Sequence, residues 1–105
     1  MPFNDRSNRM KKVDFNTLLV PIDFSENSRA AYLQALGLAS GENPVVILLH
    51  VIDASLPEFA EAHDLGTYDE VVHRMRERAE RLLAAYTEDC PEGIETDVII
   101  SEGPP

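Results

Sequence analysis

An α/β fold on a parallel sheet, running β-α-β-α-β, is predicted by three observations. Two short runs, Thr17 to Ile22 and Val45 to Val51, are almost wholly apolar, whereas a strand with one wet face alternates apolar and polar residues. A helical pattern separates these two runs, and a second helical pattern separates the later run from a third strand. Parallel neighbours need such a crossover, and strands apolar on both faces need cover on both.

The elements follow in order. Residues 1–14 carry Asn4, Asp5, Ser7 and Asn8 around Arg6, Arg9, Lys11 and Lys12 and read as a flexible N-terminal arm. The domain proper is expected over 15–105. Leu18 to Ser25, LLVPIDFS, is an apolar strand running into an exposed acid and a helix cap. Ser25 opens a helix to about Ser40, with Ala30, Leu33 and Gly37 at helical spacing, Ala31, Ala35 and Leu38 beside them, and Gly41 as the stop. Val45 to Asp53, VVILLHVID, is the second strand, reached by a right-handed crossover. Ala54 to Gly66 holds Pro57, Glu58, Glu61 and Asp64 with little periodicity, so a loop or a loose turn of helix is expected there.

Thr67 and Glu70 have the spacing of a capping box, in which Glu70 reaches back to the start of the helix. The helix then carries an apolar stripe of Val71, Met75, Ala79, Leu82 and Tyr86, while Arg74, Arg78 and Arg81 alternate with Glu77 and Glu80 on a solvated face. Pro91 and Gly93 break the chain, and Ile94 to Ser101 is the third strand, with Glu95 and Asp97 facing out.

At 105 residues the chain is one domain. Nineteen acids against nine bases give a formal charge of −10, which repels phosphate backbones and anionic headgroups, so neither nucleic acid nor a membrane is expected as a partner. A single cysteine, Cys90, excludes an internal disulfide, and no signal-like or spanning apolar run is visible. A cytoplasmic location is the expectation. Strand order 3-2-1 with right-handed crossovers places both helices on one face of the sheet. The other face and the edge of the first strand are then bare, which predicts self-association as a homodimer, or cover by further chain.

Pro21-Ile22-Asp23-Phe24-Ser25 together with Leu49-His50-Val51-Ile52-Asp53 resembles the N-terminal half of the universal stress protein family. The likeness extends from Thr17 to Gly103 in element order. It implies a Rossmann-like fold of the adenine nucleotide alpha hydrolase type, whose full form is a five-stranded parallel sheet between helical layers, commonly dimeric. One branch of the family binds ATP. In that branch the acid after the first strand and the valine ending the second surround the adenosine, which by position are Asp23 and Val51, with Pro21 and Ile22 alongside. The branch's glycine-rich phosphate motif follows a fourth strand and is absent from these 105 residues. Gly103-Pro104 resembles the family's turn into a third helix, so residues 15–105 read as an incomplete domain of this type.

The candidate nucleotide-binding residues are Pro21, Ile22, Asp23, Phe24, Ser25, Val51 and Asp53, with ATP and Mg²⁺ as the ligand. Ligands of open α/β sheets lie beyond the carboxyl ends of the strands, where Asp23 and Asp53 both fall. Asp23 suits a ribose hydroxyl, an adenine amino group or hydrated Mg²⁺; by residue type alone it is a helix cap, and the resemblance favours ligand contact. Asp53 shares the rim, although no third ligand or base is set by spacing. His50, inside an apolar strand, reads as a satisfied core or rim histidine. His63 and His73 lack the pairing of a zinc site, Ser25 lacks the glycines of a nucleophile elbow, and Cys90 lacks a cation to lower its pKa. No catalytic residue is assigned. The expected function is a stress-response protein that binds adenine nucleotide in its full-length form. The alternatives are a dimeric interaction module without nucleotide, and an enzyme with at most slow ATP hydrolysis.

Overall fold

Pairing on both edges makes one strand the centre of the sheet. The computed structural model describes residues 15–103, in the order β1 (Thr17–Pro21), α1 (Glu26–Leu38), β2 (Val45–Asp53), α2 (Ser55–Ala62), α3 (Tyr68–Thr87) and β3 (Glu95–Gly103). The N-terminal arm and Pro104 lie outside the described residues. All three strands are parallel and β2 is central: Thr17 to Pro21 pair with Val45 to Leu49, and Val45 to Asp53 pair with Glu95 to Gly103. This is the expected order, 3-2-1.

Alternation along the strands sorts the two faces. Val20, Ile22, Val46 and Leu48 are buried beneath Tyr32 and Ala35 of α1 and Ala79, Leu83 and Tyr86 of α3. The rings of Tyr32 and Tyr86 lie 5.6 Å apart, so both long helices share that face, as expected. On the opposite face Leu19 is 58% exposed, and Val51 and Ile99 are each 45% exposed. The bare apolar sheet face is therefore present in the described residues.

Several local expectations shift once packing is visible. The buried stripe of α1 is Ser28, Tyr32 and Ala35, while Leu33 and Leu38 face solvent. Packing on β1 and β2 favours the face that carries the large tyrosine ring. Ser28 tolerates burial because its hydroxyl donates to the Ser25 carbonyl at 3.0 Å. The helix ends at Leu38, before Gly41, because Ala39 turns extended and bridges to Phe15.

The stretch after β2, expected as a loop or a loose turn of helix, contains the eight-residue helix α2. Asp53 Oδ1 accepts from Ser55 N at 2.9 Å, and Pro57 lies in the first turn, where a missing N–H costs nothing. Pro57 and Ala60 are then buried. In α3, Thr67 caps as expected by accepting from Glu70 N at 3.2 Å. The return half of the box differs: Glu61, from α2, accepts from Tyr68 N at 3.0 Å. The most buried residues of α3 are Val72, Ala79, Leu83 and Tyr86, with Val71, Met75 and Leu82 only half-buried at the edge of the stripe.

Candidate functional site at the carboxyl ends of β1 and β2

The site begins where β1 leaves the sheet. Ile22 N–H donates to the Leu49 carbonyl at 2.7 Å, and the Ile22 carbonyl accepts from His50 Nδ1, also at 2.7 Å. A carbonyl only accepts, so His50 carries its proton on Nδ1, and in the neutral ring Nε2 is the bare nitrogen. This histidine is a satisfied rim residue that ties Ile22 to β2. The next residue but one, Phe24, has φ of 65°, a left-handed conformation that costs a non-glycine residue energy. Its ring rests against His50, with centroids 4.6 Å apart.

That turn aims Asp23 back at the start of α1. Asp23 Oδ1 accepts from Ser25 N at 2.9 Å, and Ser25 Oγ accepts in turn from Ser28 N at 3.1 Å. Hydrogen bonding to Ser25, assisted by Ser28, holds the Asp23 carboxyl below its ordinary value. Asp53 repeats the arrangement one strand over: its bond from Ser55 N lowers its pKa, and both acids are exposed. The cap expected of Asp23 from residue type is instead Ser25, and Asp23 holds that cap residue through its backbone N–H. A carboxylate has about four lone-pair sites, so one backbone bond leaves acceptor capacity for a ligand.

Five of the seven candidate residues, Pro21, Ile22, Asp23, Ser25 and Val51, line one cleft of about 460 Å³. Phe24 and Asp53 line a second, smaller cleft of about 290 Å³ between the strand ends and helices α2 and α3, which Asp23, His50 and Val51 also border. The sequence reasoning assigned no ligand role to Leu49, His50, Asn27, Ser28 or Ala31, all of which line the first cleft. Asn27 and Ala31 are four apart on α1, so helical spacing from the Ser25 cap was the available signal. Arg76 was also missed: its guanidinium donates to the Ile100 carbonyl at 3.3 Å and pairs with Glu102 at 3.2 Å, fixing α3 against β3.

The other reactive side chains are engaged elsewhere. His63 stacks on Phe59 at 4.2 Å, His73 pairs with Glu77, and Cys90 Sγ donates to the Ile94 carbonyl at 3.2 Å. Among the described residues no group of three or more His, Cys, Asp or Glu side chains is placed to hold a metal ion, and no helix is long and apolar enough to cross a membrane.

A three-stranded parallel sheet with both crossovers on one face, and a cleft beyond its carboxyl edge, defines a Rossmann-like α/β protein. Residues 14–105 match the universal stress protein family, and the chain belongs to that family. It is similar to the solved structure of the hypothetical protein MJ0577, at 26% identity and a TM-score of 0.70, over 89% of this chain and 62% of that one. It is also similar to the hypothetical protein PH0823, at 32% identity and a TM-score of 0.62, over 87% of this chain and 65% of that one. The chain thus spans less than two thirds of either structure. No curated protein matches it.

Proposed function

We propose that the cleft at the ends of β1 and β2 is the adenosine half of an adenine-nucleotide site, used by the full-length protein as a stress-response sensor or regulator in the cytoplasm. The observation that supports this is the cleft itself, which gathers Pro21, Ile22, Asp23, Ser25 and Val51 around one space of about 460 Å³. Ile22, Leu49 and Val51 offer an apolar wall to a base. Asp23, held ionised by Ser25, offers an acceptor to a ribose hydroxyl or to the water shell of a nucleotide's Mg²⁺. The phosphates need donors that this acidic rim does not supply, in keeping with the expectation that the glycine-rich motif lies outside these residues. Binding rather than turnover is the role, with slow ATP hydrolysis as the upper limit.

Calorimetric titration of ATP with Mg²⁺ tests this on the 105-residue chain and on the longer gene product, each with and without Asp23→Ala. Binding by the longer chain that weakens at least about tenfold on Asp23→Ala is the expected result. Binding by neither chain sinks the proposal.

One observation favours a second reading, an interaction module without nucleotide. The sheet face carrying Leu19, Val51 and Ile99 is apolar and open, a surface suited to a second copy or to another protein.

A further inference from the structure

Helix α2 was invisible to periodicity, and its outer face is apolar. Leu56 is 53% exposed and Phe59, three residues on along the same face, is 54% exposed. His63 extends that face by stacking on Phe59, and Leu65, just beyond the helix, is 71% exposed. The structure therefore presents large side chains to water on a short helix whose buried residues are the smaller Pro57 and Ala60.

The sequence that builds α2 and its flanks is acidic. Asp53, Glu58, Glu61, Asp64, Asp69 and Glu70 fall between residues 53 and 70, and no lysine or arginine occurs between Arg29 and Arg74. Arg78 of α3 shares the smaller cleft with Leu56. Phe59 and Leu65 are not part of that cleft's lining; in sequence Phe59 stands between Glu58 and Glu61, and Leu65 follows Asp64.

We propose that the outer face of α2 is a docking surface for a basic amphipathic segment of another protein, with apolar residues seated on Leu56 and Phe59 and its lysines or arginines facing the surrounding acids. Charge complementarity selects this occupant. A second copy of the chain carries −10 itself and brings acid against acid, and nucleic acid and anionic membranes are repelled for the same reason. An amphipathic helix laid on an apolar face is an established mode of recognition.

The probe is a labelled two-heptad peptide of leucine and lysine in amphipathic order, titrated into the full chain and followed by fluorescence anisotropy. Binding that falls with added salt, with amide shifts concentrated over residues 53–66, is expected. Leu56→Ser with Phe59→Ser weakens it by at least about tenfold, and Phe59→Ser alone, remote from the smaller cleft, weakens it measurably. Glu58→Lys weakens it in low salt. The proposal is overturned if the leucine-lysine peptide does not bind, or if a glycine-lysine or leucine-glutamate peptide binds equally well. It is also overturned if Leu19→Ser with Ile99→Ser, rather than the α2 substitutions, removes binding.

Discussion

Removing the Tyr32 hydroxyl is expected to stabilise this protein, against the usual direction for a core substitution. Tyr32 is 1% exposed, and its hydroxyl is a buried polar atom without a hydrogen-bond partner among the described residues. Burial, with Cys90 and Asp89 nearby, pushes the phenol above its ordinary pKa of 10.0. Cys90 does not satisfy the hydroxyl, because its thiol already donates to the Ile94 carbonyl and sulfur is a weak acceptor. An unmade hydrogen bond of this kind costs about 1–3 kcal/mol, while Tyr32→Phe keeps the ring and its contact with Tyr86. A gain of about 1 kcal/mol is expected, which for a domain of this size raises Tm by about 4–8 °C.

Calorimetry and urea titration of the two proteins measure that gain directly. The pH dependence adds a second reading of the same group. A phenol whose folded pKa is raised contributes stability that is fully present below pH 10.0 and is lost as pH rises above it, because the unfolded chain ionises first. Tyr32→Phe lacks that component of alkaline loss. A variant less stable than the parent by about 1 kcal/mol refutes the reasoning, since it shows that the hydroxyl is hydrogen-bonded in the folded protein.

Three further outcomes are expected. Leu83→Ala, at a fully buried position between α3 and the sheet, costs about 2–5 kcal/mol in urea denaturation, and a cost below about 1 kcal/mol would contradict its place in the core. The lowered pKa values of Asp23 and Asp53 contribute stability that is present above their ordinary value of 3.8 and lost as pH falls through the lowered values. Thermal melts across that range therefore show a shallower acid loss for Asp23→Ala than for the parent, and identical slopes would discount the Ser25 bond. Leu19→Ser with Ile99→Ser lowers the fluorescence of an apolar dye and any concentration-dependent association seen by light scattering; unchanged signals would mean that the open sheet face is not the accessible one.

What sequence legibility covers here follows from the range of each interaction. β1 and β2 were readable because short apolar runs separated by a helical pattern suit a parallel sheet, and the Ser25 and Thr67 caps because each is a contact within three residues. Given strand order 3-2-1, the placement of both helices on one face followed from crossover handedness, a property of the backbone shared by all L-amino-acid chains. The rim of the cleft was readable in part: Asp23 and Asp53 stand where the apolar runs end, whereas Pro21, Ile22 and Val51 came with the resemblance to the universal stress protein family.

Tertiary structure alone decided which side of each helix is inward. Leu33 looks like a core residue of α1 by type, yet Tyr32 takes the core and Leu33 faces water, because the sheet and α3 together offer a site for the ring. Helix α2 spans about two turns, too few for a period to show, and forms because Asp53 and the surface of α3 satisfy and cover it. The His50 bond to Ile22 joins residues 28 apart in sequence, so no local pattern encodes it. Propensity and spacing determined where this chain turns and where it extends; long-range packing decided which of its side chains meet.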